Sequence, residues 1–319
     1  MYNIVVIGAG QLGSRHIQSI KSTHHQCKLY VVDSVRESLE KTKTIYESTQ
    51  VDSLIQEVFY CEKSNSLPEV IDFLLISTGS RPRAAIFKDI ASHYQIKNVV
   101  FEKVLFQKES DYQEVDTILK DKGINAWVNC PRRMYEGYKA LQPLFKGKTV
   151  NMTVNGGLWG MGCNSIHFLD VYSFLTGSTE YSLSTDGVDH DIIDSKRAGY
   201  KEFTGTLTAY FANGGTVVLH SANNAISHLV TLNTDDTFCC ISEVKKECWI
   251  KSVERNEVVT FPVPYQSQLT SIVLDSILDN GSCELATYEE SAQIHLPLIK
   301  GLIAFLNKNG IDTDNCPIT

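Results

Sequence analysis

The chain has 319 residues, of which 43% are hydrophobic and 21% charged, and its formal net charge is −8. This length exceeds what a single hydrophobic core usually organises, so the sequence predicts two domains. The composition is typical of globular proteins and excludes disordered and fibrous classes, and the acidic balance provides no basic surface for nucleic acid.

The N-terminal residues predict a strand, a glycine-rich turn and a helix in immediate succession. Asn3–Ile7 is a short apolar run typical of a buried parallel strand, and Gly8-Ala9-Gly10-Gln11-Leu12-Gly13 follows it directly. Helical spacing runs from Leu12 to Ile20, and a second predicted strand, Leu29–Val32, ends at Asp33. This order is typical of a dinucleotide-binding unit, in which glycines permit the tight turn, the approach of the pyrophosphate and close packing of the helix.

Asp33 determines which nicotinamide cofactor is expected. A carboxylate here accepts hydrogen bonds from both ribose hydroxyls of NAD and repels the 2′-phosphate of NADP. Arg36 lies nearby and could pair with such a phosphate or lie on the adenine. Because Asp33 is closer to the strand end, NAD is predicted in preference to NADP. The cofactor-binding residues predicted in this region are Gly8, Gly10, Gln11, Leu12, Gly13, Asp33 and Arg36.

Strands and helices alternate through the rest of residues 1–125. Strands are predicted at Glu57–Cys61, Asp72–Ser77, Asn98–Phe101 and Asn125–Asn129, and helices at Pro82–Tyr94 and Glu109–Lys122. This alternation predicts an α/β Rossmann domain with a doubly wound parallel sheet. Ligands bind at the carboxyl ends of such strands, which adds the following candidate cofactor contacts: Ser77, Thr78, Glu102 and Lys103.

The second half of the chain has the pattern of a sheet with helices. Thr204–Phe211 and Thr216–Ser221 flank Asn213-Gly214-Gly215, a typical hairpin turn. Further strands are predicted at Thr149–Val154, Leu229–Asn233, Phe238–Glu243, Cys248–Val253 and Val258–Val263. Helices are predicted at Met134–Phe145, Cys163–Leu175, Gln266–Asp279 and Tyr288–Asn307.

Four motifs in this order resemble those of the Gfo/Idh/MocA oxidoreductase family, named for glucose–fructose oxidoreductase, inositol dehydrogenase and a rhizopine-catabolism protein. They are the stretch 8–16, Phe101-Glu102-Lys103, the stretch 165–170 with Leu175-Thr176-Gly177 after it, and the stretch 286–291. The resemblance implies a Rossmann domain over residues 1–125. Over residues 126–319 it implies an α+β domain with an open, mostly antiparallel sheet that binds substrate on one face and assembles homodimers or homotetramers through the other.

The resemblance also implies two catalytic residues, Lys103 as the substrate-contacting lysine and His167 as the catalytic histidine. Two positions depart from the family pattern: Val104 replaces a proline, and Cys163 replaces a frequent aspartate four residues before His167. The family's aspartate–histidine pair is therefore missing. Asp170, one helical turn beyond His167, either orients the imidazole or belongs to a structural network.

The expected chemistry is oxidation or reduction at a carbon that carries oxygen. Removing the hydroxyl proton while hydride leaves the same carbon suits a histidine, and a lysine ammonium stabilises the negative charge on the oxygen. Lys103 from one domain and His167 from the other are expected to act at a cleft between them. Adjacent guanidinium groups suit a carboxylate or phosphate. The predicted substrate-binding residues are Lys103, Asn129, Arg132, Arg133, Cys163, Asn164, His167 and Asp170.

The predicted function is therefore NAD(P)-dependent hydride transfer between nicotinamide and a hydroxyl or carbonyl carbon of a small carbohydrate-like substrate: a sugar, sugar acid, cyclitol or nucleotide-sugar. Two alternatives stay open. One is a regulatory protein that binds NAD but has lost catalysis, which Cys163 favours. The other is NAD-assisted elimination or hydrolysis, in which the oxidation is transient and no net reduced cofactor appears.

The cysteine spacing and the N-terminal residues indicate the state of the thiols and the location that is expected of the protein. Nine cysteines are irregularly spaced and are expected to be reduced thiols, and no Cys/His set has zinc-ligand spacing, so no metal site is predicted. The sequence has no apolar run of about 18 residues and no signal-like N-terminus. The expected location is the cytoplasm, without membrane or nucleic-acid partners.

Overall fold

The computed structural model describes all residues from 1 to 319. The α-helices are α1 (Gln11–Ile20), α2 (Arg36–Ser48), α3 (Ser80–His93), α4 (Glu109–Lys122), α5 (Glu136–Phe145), α6 (Met161–Thr176), α7 (Thr270–Asn280) and α8 (Tyr288–Lys308). The first strands are β1 (Tyr2–Ile7), β2 (Cys27–Val32), β3 (Ile55–Cys61), β4 (Val70–Ile71), β5 (Phe73–Ile76), β6 (Gln95–Ile96), β7 (Asn98–Glu102) and β8 (Asn125–Asn129). The remaining strands are β9 (Asn151–Gly157), β10 (Tyr181–Val188), β11 (Ile193–Asp194), β12 (Lys201–Glu202), β13 (Gly205–Phe211), β14 (Thr216–Ala222), β15 (Leu229–Asn233), β16 (Thr237–Ser242), β17 (Glu247–Ser252), β18 (Asn256–Thr260) and β19 (Ala286–Thr287).

The chain divides into two compact units. Unit 1 comprises residues 1–106, 110–129 and 264–288, and unit 2 comprises residues 107–109, 130–263 and 289–319. β8 extends the parallel sheet of unit 1, and β19 pairs with β8, which explains why residues 126–129 and 264–288 group with the N-terminal part. The single boundary between residues 125 and 126 stays a prediction.

Unit 1 contains a seven-stranded sheet in the order β19-β8-β7-β5-β1-β2-β3. Every neighbouring pair is parallel except β19 with β8. β5 and β7 are buried on both faces, as expected for the continuous apolar runs from which they were predicted. Strand order reverses between β1 and β5, so their carboxyl ends form the switch point at which such sheets bind ligands. The predicted doubly wound Rossmann fold is confirmed.

Unit 2 contains an eight-stranded sheet in the order β10-β13-β14-β9-β15-β16-β17-β18. All neighbouring strands are antiparallel except β14 with β9. Buried and more exposed residues alternate along β13, β14 and β16, which is the signature of a sheet with only one face in the core. α6 is buried along almost its whole length. This architecture confirms the predicted α+β domain with a mostly antiparallel sheet.

Among the α-helices and the strands longer than two residues, α2 and β10 were not predicted from the sequence, and neither were the two-residue strands β4, β6, β11, β12 and β19. α2 buries only Leu39, Thr42 and Tyr46, a stripe too sparse to indicate a helix. β10 is an edge strand rich in small polar residues, and its pairing with β13 shifts register between Ser184 and Gly187.

None of the helices has the combination of length and apolar character that a membrane span needs.

Candidate functional site

The glycine-rich turn joins β1 to α1 at the switch point of the unit 1 sheet. Gly8 has a φ of 97°, which strains any side-chain-bearing residue. A Cβ added to Gly13 would lie 2.0 Å from the carbonyl oxygen of Gly8, so only glycine lets helix and turn pack this closely. A Cβ added to Gly10 would meet no protein atom within 4 Å. The Gly10 side of the turn is therefore the open side.

Side chains from neighbouring elements hold the turn in place. The Ser77 hydroxyl lies 2.7 Å from the carbonyl oxygen of Gly8 and 3.1 Å from that of Ile7. Thr42 on α2 donates to the carbonyl oxygen of Ala9 at 2.9 Å. No side chain caps the N-terminus of α1, so the amides of its first turn and the positive end of the helix dipole remain able to bind an anion.

A cavity of about 660 Å³ opens beside the carboxyl ends of β1, β2 and β5. This volume lies within the usual range for small-molecule sites, about 300–1,000 Å³. The polar part of its wall includes Asp33, Thr78 and residues 62–65. The apolar part is formed by Ile7, Val32, Pro82, Ala85, Ile86 and Ile90. An apolar wall next to a carboxylate suits an adenosine moiety.

Asp33 and Thr78 are two of the polar residues that line this cavity. The Asp33 carboxylate accepts hydrogen bonds from the backbone amides of Ala9 at 2.7 Å and Val35 at 2.8 Å, which fix its orientation. Each oxygen retains a lone pair for further donors such as ribose hydroxyls. The hydroxyl oxygen of Thr78 is buried and has no hydrogen-bond partner. Arg36 is exposed and pairs with Glu40 at 3.1 Å.

A closed ring of hydrogen bonds lies behind the end of β7. The His16 Nε2 atom is 2.8 Å from Glu102, and its Nδ1 atom is 2.8 Å from the Thr270 hydroxyl. Asn129 donates both to Glu102 and, at 3.1 Å, to the Gln266 side-chain oxygen. The Gln266 amide donates to the Thr270 hydroxyl at 3.1 Å and completes the ring. The ring links α1, β7 and β8 with the segment before α7 and with the first residue of α7.

The ring fixes the strand end that carries Lys103. Burial raises the pKa of Glu102, but His16 and Asn129 more than offset this, so the pKa lies below its usual value and the carboxylate is favoured. The Lys103 amide donates to Glu102 at 3.2 Å, and the peptide bond between Lys103 and Val104 is cis. The buried Arg83 guanidinium donates to the carbonyl oxygens of Val104, Leu105 and Thr78. Both sides of Lys103 are therefore held by buried polar groups.

In unit 2, α6 carries the predicted catalytic histidine, and an acid from elsewhere in the sequence caps this helix. The Glu202 carboxylate accepts hydrogen bonds from the backbone amides of Gly162 at 2.7 Å and Cys163 at 3.2 Å. The Asn164 amide donates to the carbonyl oxygen of Trp159 at 2.7 Å. His167 lies one turn further along α6, with 8% of its surface exposed. Glu202 thus supplies the negative charge that the first turn of α6 lacks.

Asp170 belongs to a buried ion-pair network with Arg133. The Arg133 guanidinium donates to both oxygens of Asp170, at 2.7 and 3.0 Å, and to Glu290 at 2.9 Å. Burial raises the pKa of Asp170, while the charge of Arg133 counteracts this effect. Of the two roles that the sequence left open for Asp170, this contact pattern favours the structural one.

Arg132 forms a second buried network. Its guanidinium makes two hydrogen bonds to Glu243, at 2.8 and 2.9 Å, and lies 4.7 Å from the centre of the Phe168 ring. The Tyr138 hydroxyl donates to the same carboxylate at 3.0 Å. Burial opposes ionisation of Glu243, but Arg132 and His228 hold its pKa well below the usual range. The charges of both predicted anion-binding arginines are thus balanced within unit 2.

The predicted site residues therefore fall into separate clusters. Unit 1 brings the glycine turn, Asp33, Ser77 and Thr78 together, and it places Glu102 and Asn129 in the hydrogen-bonded ring. Unit 2 places Cys163, Asn164, His167 and Asp170 along α6. The roles given to all of these residues stay predictions. The sequence predicted no role for the following residues, whose partners are distant in sequence: Glu202, Glu243, Gln266, Thr270 and Glu290.

Solved structures with the same fold cover nearly the whole chain. UDP-N-acetylglucosamine 3-dehydrogenase from Acidithiobacillus ferrooxidans is 12% identical, with a TM-score of 0.70 over 94% of this chain and 96% of the other. Levoglucosan dehydrogenase, in complex with NADH and L-sorbose, is 14% identical, with a TM-score of 0.69 and 97% of both chains covered. Biliverdin reductase from Synechocystis sp. PCC 6803, in complex with biliverdin and NADP⁺, is 13% identical, with a TM-score of 0.71 over 94% of this chain and 97% of the other. At these identities the likeness establishes the fold alone.

Sequence comparison gives a more specific result for the N-terminal domain. No curated protein matches the sequence. The family profile described as "Oxidoreductase family, NAD-binding Rossmann fold" matches residues 2–130, which contain the glycine turn, Asp33 and Lys103. Residues 2–130 therefore match the NAD-binding Rossmann domain of the Gfo/Idh/MocA oxidoreductase family.

Proposed function

We propose that this NAD(P)-dependent oxidoreductase transfers hydride between nicotinamide and a hydroxyl or carbonyl carbon of a sugar, sugar acid, cyclitol or nucleotide-sugar. The observation that carries the proposal is the cradle at the switch point of unit 1. It combines the open side of Gly10, the uncapped start of α1, and a cavity with the Asp33 carboxylate in its wall. The carbohydrate class is supported by the dehydrogenases of UDP-N-acetylglucosamine and levoglucosan among the similar structures.

The residues of unit 1 fit a bound dinucleotide. The amides at the start of α1 would bind the pyrophosphate, and Asp33 would accept hydrogen bonds from the adenosine ribose. The buried Thr78 hydroxyl lines the cavity, has no hydrogen-bond partner in the chain, and would be available to a ligand that fills this space. The bound nicotinamide supplies the hydride acceptor or donor. We assign the preference to NAD because Asp33 repels a 2′-phosphate, and Arg36 is engaged by Glu40.

Two side chains are assigned to the chemistry at the substrate. His167 on α6 takes the hydroxyl proton during oxidation and returns it during reduction. Lys103 at the end of β7 holds the substrate oxygen and stabilises the negative charge that develops on it. Without the family's aspartate at Cys163, the orientation of His167 depends on the position of α6, which the Glu202 cap and the Asp170–Arg133 pair stabilise.

The proposal is tested by following absorbance of the reduced nicotinamide while the protein is incubated with NAD or NADP and a panel of polyols, sugar acids and nucleotide-sugars. We expect net reduction with at least one member of the panel. NAD binding without turnover across the panel would instead favour the regulatory alternative that Cys163 suggests. Altered substrate without net reduced cofactor, detected by product analysis, would favour NAD-assisted elimination or hydrolysis.

Replacing Asp33 is expected to shift cofactor preference. Asp33→Asn keeps an oxygen that can accept the Ala9 amide but removes the charge that repels a 2′-phosphate. Calorimetric titration should show the ratio of NADP affinity to NAD affinity rise by about tenfold, which corresponds to about 1.4 kcal/mol. Glu62→Gln removes another carboxylate from the same cavity and serves as the control. The assignment of Asp33 is wrong if the ratio is unchanged or if both variants shift it equally.

We further propose that the chain self-associates as a homodimer or homotetramer through the outer face of the unit 2 sheet. Leu229, Trp249 and Val258 are 44%, 40% and 65% exposed on β15, β17 and β18, and a groove of about 460 Å³ crosses β9 and β15. Light scattering should give two or four times the mass of a single chain. The double change Trp249→Glu and Val258→Glu should reduce it to one chain, whereas Val253→Glu, in a fully exposed turn, should not. A monomeric parent protein contradicts the proposal.

A further inference from the structure

A cluster of histidine and carboxylate groups lies away from the cofactor cradle, where the turn after α1 meets α7 within unit 1. His24 Nε2 is 2.9 Å from one oxygen of Asp279, and His25 Nε2 is 3.1 Å from the other. His24 Nδ1 is 3.1 Å from Asp275, which lies one helical turn before Asp279 on α7. The sequence did not reveal this cluster because its two halves are separated by about 250 residues.

We propose that His24, His25 and Asp279 form a zinc-binding site. One ligand atom from each residue lies within 4.8 Å of the others. Tetrahedral zinc with bonds of about 2.1 Å places its ligands about 3.4 Å apart, so small side-chain movements bring the three atoms into position. Imidazole nitrogen and carboxylate oxygen are ordinary zinc ligands, and water takes the remaining position.

The Asp275 carboxylate is positioned to orient His24 as a zinc ligand. When His24 binds the ion through Nε2, its Nδ1–H points to the Asp275 carboxylate, the arrangement that fixes the tautomer of many zinc-bound histidines. The Thr23 hydroxyl donates a hydrogen bond to the other oxygen of Asp275 and holds it in turn. Thr23 is 2% exposed, so this support is part of the folded core and not a chance surface contact.

Contacts among these side chains do not satisfy all of the hydrogen-bonding groups in the cluster. The Nε2 atom of His25 is buried and makes no hydrogen bond, although it lies 3.1 Å from Asp279. The centres of the two imidazole rings are 4.4 Å apart, so both rings can reach the same ion. A zinc ion uses both rings in their neutral form and neutralises the carboxylate at once. His24 and Asp279 are 60% and 42% exposed, which leaves a path for the ion from solvent.

Zinc at this position joins two distant parts of the chain. His24 and His25 precede β2, whereas Asp279 is on α7, in the segment that returns to unit 1 from the C-terminal half. α7 already contacts α1 through a hydrogen bond from the Ser271 amide to the Ser19 hydroxyl, at 3.0 Å. The ion therefore acts as a structural clamp, and its binding is expected to stabilise unit 1 without any role in hydride transfer.

The test uses the full-length protein without an affinity tag, freed of metal with a chelator and titrated with ZnCl₂ in a non-coordinating buffer by calorimetry. We expect one zinc ion per chain. His24→Ala and Asp279→Asn should each weaken zinc binding more than tenfold, and Asp275→Asn, which removes only the orienting carboxylate, should weaken it by about tenfold. His93→Ala is the matched control, because His93 pairs with Asp89 at 3.7 Å on the exposed face of α3 without a third ligand.

Thermal melting supplies an independent readout. Zinc should raise the melting temperature of the parent protein and of His93→Ala but not of His24→Ala or Asp279→Asn. In the absence of metal the site variants should melt close to the parent, which shows that lost binding does not reflect unfolding. Absence of saturable zinc binding overturns the proposal, as does binding that His24→Ala and Asp279→Asn leave unchanged.

Discussion

Gly13→Ala is expected to destabilise the N-terminal unit, whereas Gly10→Ala is expected to leave stability unchanged and to impair NAD binding. A Cβ at position 13 would lie 2.0 Å from the Gly8 carbonyl oxygen and 2.9 Å from the Ser77 hydroxyl. The carbonyl is part of a backbone turn that cannot move without breaking its hydrogen bonds, so a loss of about 3 kcal/mol in unfolding free energy is expected. A Cβ at position 10 meets no protein atom within 4 Å and projects into open space, where we propose that the diphosphate binds.

Thermal melting and calorimetric titration with NAD separate the two effects. Gly10→Ala should melt with the parent protein and bind NAD at least tenfold more weakly, about 1.4 kcal/mol. Gly147→Ala is the control for a glycine outside the turn: its φ is 74°, so a modest loss of stability without loss of NAD affinity is expected. Unchanged NAD affinity in Gly10→Ala contradicts the proposed position of the diphosphate.

The features that the sequence predicted are those encoded by neighbouring residues. The β1–turn–α1–β2 unit was predicted because strand, glycines, helix and Asp33 occur within 33 residues, and each has a recognisable local requirement. α4 was predicted with its observed bounds, Glu109–Lys122, because Gly123 ends it in the left-handed conformation. The hairpin of β13 and β14 was predicted by the same logic from Asn213-Gly214-Gly215.

The features that the sequence did not predict depend on long-range contacts. α2 is polar along most of its length, and its role becomes visible only when Thr42 reaches the carbonyl oxygen of Ala9. The ring around Glu102 collects residues from four parts of the chain, and no local signal relates His16 to Thr270, 254 positions away. Glu202 likewise caps α6 from 40 residues downstream. Periodicity and spacing carry no information about such partners.

The second large effect is expected at the two proposed catalytic residues. His167→Ala should lower the rate of alcohol oxidation by about 10²–10⁴-fold, the usual contribution of a general base, and should remove its contribution to the pH profile. Lys103→Met should lower the rate by about 10²–10³-fold, because the charge on the substrate oxygen is no longer stabilised. His190→Ala and Lys122→Met change exposed residues of the same types and should retain the parent rate.

NAD binding distinguishes loss of chemistry from loss of the fold. The proposed cofactor contacts of Asp33 and the glycine turn do not involve His167, so the NAD affinity of His167→Ala should match that of the parent while its turnover falls. Lys103 is also a candidate cofactor contact, so a moderate loss of NAD affinity is compatible with its role, provided that the loss in turnover at saturating NAD is larger. If both variants turn over substrate at the parent rate, the assignment of these two residues is wrong, even though residues 2–130 match the family profile. The reacting groups would then have to be sought among the other polar side chains of α6 and of the β7 end.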